Sequence, residues 1–453
     1  MTRAEKRATS GLAAIFGLRM LGMFLILPVF ALYAEHLPGG NSHTLVGLAL
    51  GMYGLTQAIF MLPFGMMSDR IGRKKVIIFG LIVFALGSFV AATATDIYWT
   101  IFGRALQGAG AVSAAVTAML ADLTREEHRT KAMAIIGSSI GVTFAVSLVA
   151  GPALNRVIGV PGIFALTGIL ALVAIWVVKV WVPDPANSHY HADAQANPAR
   201  LKDVLKNGQL LRLDFGIFAL HAAQMAMFVV VPVALKNSGL AVDHHWAVYL
   251  PVLLGSFLLM VPAIIYGEKR GQMKPVFVGA VALMLLAQMG LAVGIGSFWG
   301  IVWALFFYFV AFNLLEASLP SLISKMAPAS AKGTAMGVYN TAQALGMFFG
   351  GVVGGWLAQH YGFHVVFVFC GVLMAIWLLA TLSMTPPPAV KTRMFNVGVM
   401  PEDQAALLKL QLAGVAGVVE AVVLAEEGVA MLKVSIKGWD EAGARSLLQS
   451  VAI

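Results

Sequence analysis

Long apolar runs separated by short polar connections fill about the first 385 residues of the chain. The hydrocarbon core of a bilayer is roughly 30 Å thick and takes about 20 helical residues to cross, which is the length of these runs. The pattern therefore predicts an all-α polytopic membrane protein with two sets of six spanning helices. The predicted helices lie at 11–34, 45–68, 75–95, 97–121, 129–157, 162–182, 212–236, 244–267, 273–295, 298–324, 332–359 and 363–384.

The pattern changes at two places, which predicts the domain organisation. A polar segment at 184–211 is a predicted cytoplasmic linker between an N-terminal six-helix half at 1–183 and a C-terminal six-helix half at 212–388. Charged residues return at 391–453, which we expect to form a separate cytoplasmic domain.

Residues 391–453 carry the periodicities of a small α+β domain, and the Glu-Glu-Gly segment at 426–428 has the composition of a hairpin turn. Their β-α-β-β-α order is ferredoxin-like apart from a missing last strand. Either the chain stops before that strand or Val451 onward begins it. The predicted elements are a strand at 394–399, a helix at 402–412, strands at 418–424 and 429–436, and a helix at 441–451.

Composition excludes a soluble enzyme. Hydrophobic residues make up 59% of the chain and charged residues only 11%, against about 25% charged in soluble domains, so lipid must cover much of the surface. The single cysteine, Cys370, lies in an apolar run, which excludes a disulfide framework or a CxxC metal site. No glycine-rich phosphate loop, metal cluster or nucleophile–base pair stands out, so we expect no enzymatic activity, cofactor or metal.

The net charge of +9 reflects membrane topology and not nucleic-acid binding. Lys and Arg are concentrated in alternate connections between the predicted helices, and the other connections are nearly free of them. Because positive residues mark the cytoplasmic side, both termini are predicted to face the cytoplasm. The basic clusters lie at 3–7, 70–75, 125–131, 200–212, 269–274, 325–332 and 391–393.

The two predicted halves are related by a sparse internal repeat. A shift of about 203 residues places Gly151 on Gly354 and Phe164 on Phe367, at equivalent positions of their helices. Parallel six-helix repeats are a known way of building transporters, with the substrate near the midplane between the halves.

The strongest local motif is GMMSDRIGRKK, which begins at Gly65 between the second and third predicted helices. Asp69 ends one helix and Arg73 begins the next, so both charges oppose the dipole of their own helix and need partners. We expect Asp122, at the end of the fourth helix, to pair with Arg73, and the start of the eleventh helix at 333–337 to receive Asp69. The alternative is a loop that only sets topology.

This motif resembles the G-x-x-x-D-R-x-G-R-K/R signature of major facilitator transporters. The resemblance covers about residues 11–385 and implies the twelve-helix major facilitator fold, in the inner membrane of a bacterial cell. It also implies that the motif is a conformational latch that holds one face closed. The latch residues would be Gly65, Asp69, Arg70, Gly72, Arg73, Lys74 and Asp122.

Two further segments are similar to elements of this family. Arg104 and Gln107 belong to an R-x-x-Q-G-x-G sequence in the fourth helix, which implies proton coupling; the alternative is that Arg104 only extends to the nearby membrane surface. Gly151 and Pro152 match the antiporter element G-x-x-x-G-P-x-x-G-G in part, because Ser147 stands for its first glycine and Asn155–Arg156 for its last two. For these residues and for Gly141 in the same helix, the alternative is plain helix packing.

Acidic residues deep within the predicted helices are few, and Glu316 in the tenth is the main candidate for a proton carrier. A carboxyl group removed from water can bind and release a proton near neutral pH; the alternative is a structural partner for another polar group. The candidates for the proton and substrate pathway are Glu316, Arg104, Gln107, Arg19, His221, Gln224, Asn313, Asn340 and Gln343.

We therefore expect a monomeric, proton-driven antiporter that exports a small amphipathic molecule or drug by alternating access. Proton-coupled uptake of a metabolite or sugar is the second hypothesis, and a transport-inactive sensor that signals through residues 391–453 is the third. The expected partners are the small-molecule substrate, protons and the lipid bilayer. The terminal domain is expected to regulate or stabilise the transporter, and its sequence names no partner.

Overall fold

The computed structural model describes residues 1–184, 194–388, 390–435 and 438–451. Its membrane part is entirely helical within these ranges, apart from connections. The helices are α1 (Arg3–Phe24), α2 (Phe30–Ala34), α3 (His43–Ile71), α4 (Arg73–Ala92), α5 (Ile97–Ala109), α6 (Ser113–Asp122), α7 (Glu126–Val180), α8 (Leu201–Lys206), α9 (Gly208–Asn237), α10 (Trp246–Arg270), α11 (Met273–Gly294), α12 (Phe298–Met326), α13 (Lys332–Tyr361) and α14 (Phe363–Leu382).

Nine helices in the described ranges are long and apolar enough to cross a membrane. Two interrupted spans and one helix that contains two spans account for the other three predicted spans. Near Pro28, which has no N–H to donate, the chain leaves the helix, so α1 and α2 share the first span. Gly110 separates α5 from α6 in the fourth span. The fifth and sixth spans are joined in α7. The membrane part is therefore the predicted twelve-span bundle.

α7 turns back on itself at Gly159, whose φ of +67° lies in the left-handed region that favours glycine. The contacts of α1 show the reversal. Gly11, near the start of α1, packs against Val182 just beyond α7, whereas Gly151 in the first arm of α7 packs against the carbonyl group of Leu25. Both arms of α7 therefore run alongside α1 in opposite directions.

The amino-terminal end of the chain and the terminal domain lie at one end of the bundle, which we call the basic face. The amino group of Met1 lies 3.0 Å from Nε2 of His128, and Arg125 donates a 2.9 Å hydrogen bond to Glu5. This guanidinium holds the pKa of Glu5 down to about 2. The positive residues predict that the basic face is cytoplasmic.

The two halves approach closely where α3 crosses α13, towards the other end of the bundle, which we call the opposite face. A Cβ at Gly47 or Gly351 would collide with the backbone of the other helix, so glycine is required at both positions. Nearer the surface, the Oε1 atom of Gln359 accepts hydrogen bonds from the hydroxyl groups of Ser42 and Thr44. The opposite face is therefore closed by direct contact between the halves.

The terminal domain has one antiparallel sheet in the order β1-β3-β2, and its helices α15 and α16 pack against that sheet around Leu408 and Leu448. This is the predicted ferredoxin-like arrangement, with three strands among the residues described. The elements are β1 (Val390–Asn396), α15 (Glu402–Ala413), β2 (Val418–Leu424), β3 (Val429–Ser435) and α16 (Glu441–Val451).

One predicted boundary in this domain was wrong, and one of the two alternatives for its end is excluded at Val451. The first strand occupies 390–396 and not 394–399, because Gly398 adopts a φ of +72° and donates its N–H to Asn396 Oδ1, which turns the chain. Val451 ends α16 and does not begin a strand. Residues 452 and 453 lie outside the described part of the chain.

Lys433 fastens the terminal domain to the membrane bundle. It projects from β3, is 6% exposed, and donates a hydrogen bond to the carbonyl oxygen of Ala327, at the carboxyl end of α12. Its Nζ also lies 2.9 Å from Glu420 Oε2. A cation is favoured at the negative end of a helix dipole, so this contact stabilises docking onto α12.

We predict that Lys433→Met loosens the domain, because the carbonyl of Ala327 and the carboxylate of Glu420 lose a charged donor. A hydrogen bond to a charged group contributes about 2 kcal/mol. Limited proteolysis of the connection near residue 388 should be faster in this variant than in Lys409→Met, which removes an exposed lysine of α15. Equal cleavage rates in the two variants would show that Lys433 does not hold the domain in place.

Candidate functional site

Three polar side chains from three helices of the C-terminal half meet inside the bundle: Glu316 from α12, His221 from α9 and Gln343 from α13. His221 Nε2 is 3.8 Å from Glu316 Oε2. Nε2 of the Gln343 amide lies 2.8 Å from that ring nitrogen and 3.5 Å from Glu316 Oε1. The structure thus brings together three of the predicted pathway residues, which we call the carboxyl cluster.

The hydrogen bonds assign a tautomer to His221. Its Nδ1 lies 3.2 Å from the carbonyl oxygen of Ile217 and must donate to it, so Nε2 is the acceptor for the Gln343 amide. The Glu316 carboxyl group therefore faces an unprotonated ring nitrogen. One added proton can be held by either group, which is the chemistry that a proton carrier needs.

The other pathway candidates of this half take different positions. Asn313 donates a 2.8 Å hydrogen bond to Ser256 on α10. Gln224, one turn after His221, is buried, and its Oε1 has no hydrogen-bond partner among the residues described. Asn340 is half-buried on α13, three residues before Gln343. None of the three shares a hydrogen bond with the carboxyl cluster in the described structure.

Two arginines in the N-terminal half are buried around one aromatic ring. The guanidinium carbons of Arg19 and Arg104 lie 5.7 and 4.9 Å from the centroid of the Tyr53 ring. Arg19 also donates to Ser113 Oγ at 2.9 Å and to Gln57 Oε1 at 3.3 Å. Among the described side chains, no carboxylate forms an ion pair with either arginine, which is costly for two charges within a membrane.

Arg104 does not extend to the membrane surface, so that alternative is wrong. It is 0% exposed and donates to Gln107 Oε1 at 2.7 Å and to the carbonyl of Ala49 at 3.4 Å. Gln107 in turn donates to Ser88 on α4 at 2.8 Å. The R-x-x-Q sequence thus links helices α3, α4 and α5.

The two buried arginines and the carboxyl cluster lie on either side of the crossing of α3 and α13. Tyr53 is followed by Gly54, and Gln343 is followed by Ala344. A Cβ at Gly54 would collide with the carbonyl oxygen of Ala344, so the two helices touch there. The guanidinium groups and the carboxyl cluster therefore lie on either side of one contact between the halves.

The latch motif forms a compact charge cluster at the basic face. The Nε of Arg73 donates to Asp122 Oδ2 at 3.1 Å, as the sequence analysis expected, and its NH1 donates to Asp69 and to Ser68 Oγ. Arg73 and Asp122 have side chains that are 2% and 0% exposed, whereas the Asp69 side chain is 45% exposed. The buried pair holds α4 to α6, and Asp69 lies at its edge.

The expected docking of Asp69 at the start of α13 is absent from this conformation. The backbone of Gln195 lies directly against Gly333, and the N–H of Asn197 donates to Thr334 Oγ1 at 2.9 Å. Residues 195–197 of the linker therefore cover the end of α13 that Asp69 was expected to reach.

The remaining latch residues shape the turn. Gly72 has a φ of +103° and joins α3 to α4, and Gly65 packs against Ala114. Lys74 forms a 2.9 Å ion pair with Asp184. Arg70 is exposed at the end of α3.

Of the α7 residues predicted to pack against another helix, only some do so in this conformation. Gly151 lies against the carbonyl of Leu25, and the adjacent Pro152 continues within α7. Gly141 is exposed, and an added Cβ would meet no described atom of another helix within 4 Å. The periodicity of small residues did not distinguish a packed face of α7 from an exposed one.

Several residues of these sites were missed by sequence reasoning. Tyr53, Gln57 and Ser113 are ordinary residues of apolar runs, and no spacing marks them as partners of Arg19. Glu35 and Lys236 form a 2.6 Å ion pair between the halves at the opposite face, although each lies in a separate connection. Proximity created by the fold, and not local sequence, makes these residues part of a site.

A bundle of two six-helix halves with buried ionisable groups on both sides of their contact defines a membrane transporter. The family model of the Major Facilitator Superfamily matches residues 12–351 and, in a second match, 245–398. The chain belongs to this superfamily and is a multi-pass membrane protein.

Individual relatives support this assignment. Inner membrane transport protein YajR of Escherichia coli (strain K12) is 45% identical over 440 residues, 96% of each chain. Multidrug resistance protein 2 of Bacillus subtilis (strain 168) is 27% identical over 390 residues, 80% of this chain and 91% of that protein. A solved bacterial homologue of the human lysosomal transporter Spinster, inward-facing and occupied, has a TM-score of 0.69 at 13% identity and covers 84% of this chain and 97% of its own. That last likeness shows the fold alone.

We predict that two acidic residues of the latch motif differ in their effect on stability. Asp122→Asn removes a buried partner of a buried arginine and should cost about 3 kcal/mol, whereas Asp69→Asn changes a half-exposed pair and should cost less than about 1 kcal/mol. Heat-induced unfolding of the purified variants, measured side by side, checks this order. Equal destabilisation would mean that the Arg73–Asp122 pair is not the structural centre of the motif.

Proposed function

We propose that this transporter is proton-coupled and works by alternating access, with Glu316 as the proton carrier. The observation that carries the proposal is the carboxyl cluster, in which Glu316 faces the acceptor nitrogen of His221 across 3.8 Å. A proton bound there changes the charge at the contact between the halves. Such a change can bias the equilibrium between two conformations, because a buried charge without compensation is costly.

Alternating access requires contacts at one face that can be exchanged for contacts at the other. In this conformation the opposite face is closed by the α3–α13 crossing and by the Glu35–Lys236 ion pair. At the basic face, Asp69 does not contact the start of α13 in the described structure. This asymmetry supports a conformation closed at the opposite face.

We further propose export in exchange for protons, with a small amphipathic molecule or drug as the substrate. The support comes from the similarity to Multidrug resistance protein 2 of Bacillus subtilis and from the partial antiporter element at Gly151 and Pro152. For exchange, substrate and proton must exclude one another. A cationic substrate near Glu316 would do so, since it favours the ionised carboxylate.

A second candidate, proton-coupled uptake of an anionic metabolite, is favoured by one observation. Arg19 and Arg104 offer buried positive charge without a carboxylate partner among the described residues. An anion bound there would lower the positive potential near Glu316 and favour its protonation, so anion and proton would bind together. Binding together is the condition for transport in the same direction.

We predict that Glu316→Gln abolishes solute-dependent proton movement in liposomes that contain an internal pH dye, because the amide cannot exchange a proton. Glu268→Gln, which changes an exposed acid at the end of α10, should behave as the unchanged protein. A panel of amphipathic cations and anions serves as the solute. Proton entry that accompanies solute exit indicates exchange, and entry of both indicates uptake. Normal coupling in Glu316→Gln would remove the proposal.

We also predict that removal of a buried guanidinium group distinguishes the two candidates. If the substrate is anionic, Arg19→Gln should weaken its binding about tenfold or more, the effect of losing a charged hydrogen bond. Binding is measured as ligand-induced thermal stabilisation. Arg270→Gln is the matched control, since Arg270 also lies over a tyrosine ring but at the exposed end of α10. Unchanged binding of anions in Arg19→Gln would count against uptake of an anion.

A further inference from the structure

Two buried polar groups on α9 and α13 take no part in the sites described above. Asp214 of α9 is 5% exposed, and neither of its carboxyl oxygens has a hydrogen-bond partner among the described residues. Tyr339 of α13 is 2% exposed, and its hydroxyl group likewise has no partner in the described part of the chain. Buried polar groups are nearly always hydrogen-bonded, so two neighbouring exceptions require an explanation.

α9 and α13 run parallel in close contact. Gly346 packs against the backbone of Phe218, and Gly350 packs against the backbone of Ala222. Residues of α9 and α13 therefore lie side by side in one constant register along both helices. Extended towards the basic face, this register places Asp214 level with residue 342.

The register places Asp214 beside the face of α13 that leads to the carboxyl cluster. Level with residue 342, it lies between Tyr339 and Gln343, which are four residues apart and therefore share one face of α13. On α9, Asp214 and His221 are seven residues apart, two helical turns or roughly 10 Å along one face. Tyr339 lies on this face of α13, and its hydroxyl group makes no hydrogen bond to Asp214 or Glu316 in the described structure.

Asp214 lies between the carboxyl cluster and the basic face. α9 begins at Gly208, so Asp214 lies about 9 Å along the helix from its start. An ionised carboxylate without partners is costly in such surroundings, and the neutral acid is favoured unless water enters. The elements packed against this part of α9 carry several titratable groups. They are Tyr339 and Lys332 on α13, Glu316 and Lys325 on α12, Cys370 on α14, and the exposed Lys202, Asp203 and Lys206 on α8.

We propose that Asp214 is a second proton-binding group, which exchanges protons between Glu316 and the basic face with the Tyr339 hydroxyl group as the bridge. The Tyr339 hydroxyl group makes no hydrogen bond to either carboxyl group in this conformation, so a transfer needs one water between Tyr339 and each of them. Through these waters, the Tyr339 hydroxyl passes a proton to the ionised Asp214 and receives one from the protonated Glu316. Glu316 loses one proton and Asp214 gains one, so no net charge is created. The role in transport rests on the proposed function of Glu316, but the proton exchange can be measured without any substrate.

The test is infrared difference spectroscopy of the purified full-length protein after a pH jump, with the carbonyl stretch of protonated carboxyl groups as the signal. We expect Asp214→Asn to remove one carbonyl band and to slow deprotonation of Glu316 about tenfold or more, since a positioned acid–base group accelerates proton transfer by at least this factor. Tyr339→Phe should keep both bands and slow the same step. Asp214→Glu should restore the band and the rate.

Asp203→Asn, which alters an exposed acid of the nearby α8, is the control and should change neither band nor rate. Deprotonation of Glu316 at the original rate in both Asp214→Asn and Tyr339→Phe would overturn the proposal. Glu316→Gln separates this inference from the proposed function. If that variant loses no carbonyl band, Glu316 is not the proton carrier, whereas a band lost in Asp214→Asn would still identify Asp214 as a titrating group.

Discussion

The backbone contact between α3 and α13 is the constraint on which the rest of the structure depends. Gly47 and Gly351 allow two helices from different halves to touch without side chains between them. Lipid supplies no hydrophobic force between helices, so such close packing is a main source of their association. The same contact fixes the depth at which Tyr53 and Gln343 lie, and so aligns the buried arginines of one half with the partly buried Glu316 carboxyl group of the other.

Charged side chains within the bundle are either fully paired or incompletely paired, depending on where they lie. Where a charge holds helices together, it is paired, as Arg73 is with Asp122 and Arg125 with Glu5. Where ionisable groups face the contact between the halves, pairing is incomplete, as for Arg19 and Arg104. Unpaired buried charge is expensive, and this is why we propose that binding or protonation supplies the missing partner at this level of the molecule.

Much of the fold could be predicted because the bilayer imposes a length on every apolar run. The same regularity hid the breaks near Pro28 and Gly110, since a broken span and an intact one have similar hydrophobicity. The Arg73–Asp122 pair was predictable because both charges oppose a helix dipole. The buried position of Asp214 could not be predicted, because the residue closely follows the charged linker. Only the structure, in which α9 begins at Gly208, places it inside the bundle. Gly141 was predicted to pack against another helix but is exposed, because a small residue permits a close contact without creating one.

The position of linker residues 195–197 has a consequence for the energetics of the whole cycle. They occupy the start of α13 through Gly333 and Thr334, the same end that the resemblance assigns to Asp69. If Asp69 docks there when the basic face closes, as proposed for the motif, the two segments compete for one site. Both belong to one chain, so their competition is independent of protein concentration. The linker then behaves as a tethered ligand whose effective concentration depends on its length and stiffness. A segment that contacts no substrate would in this way set how often the basic face can close.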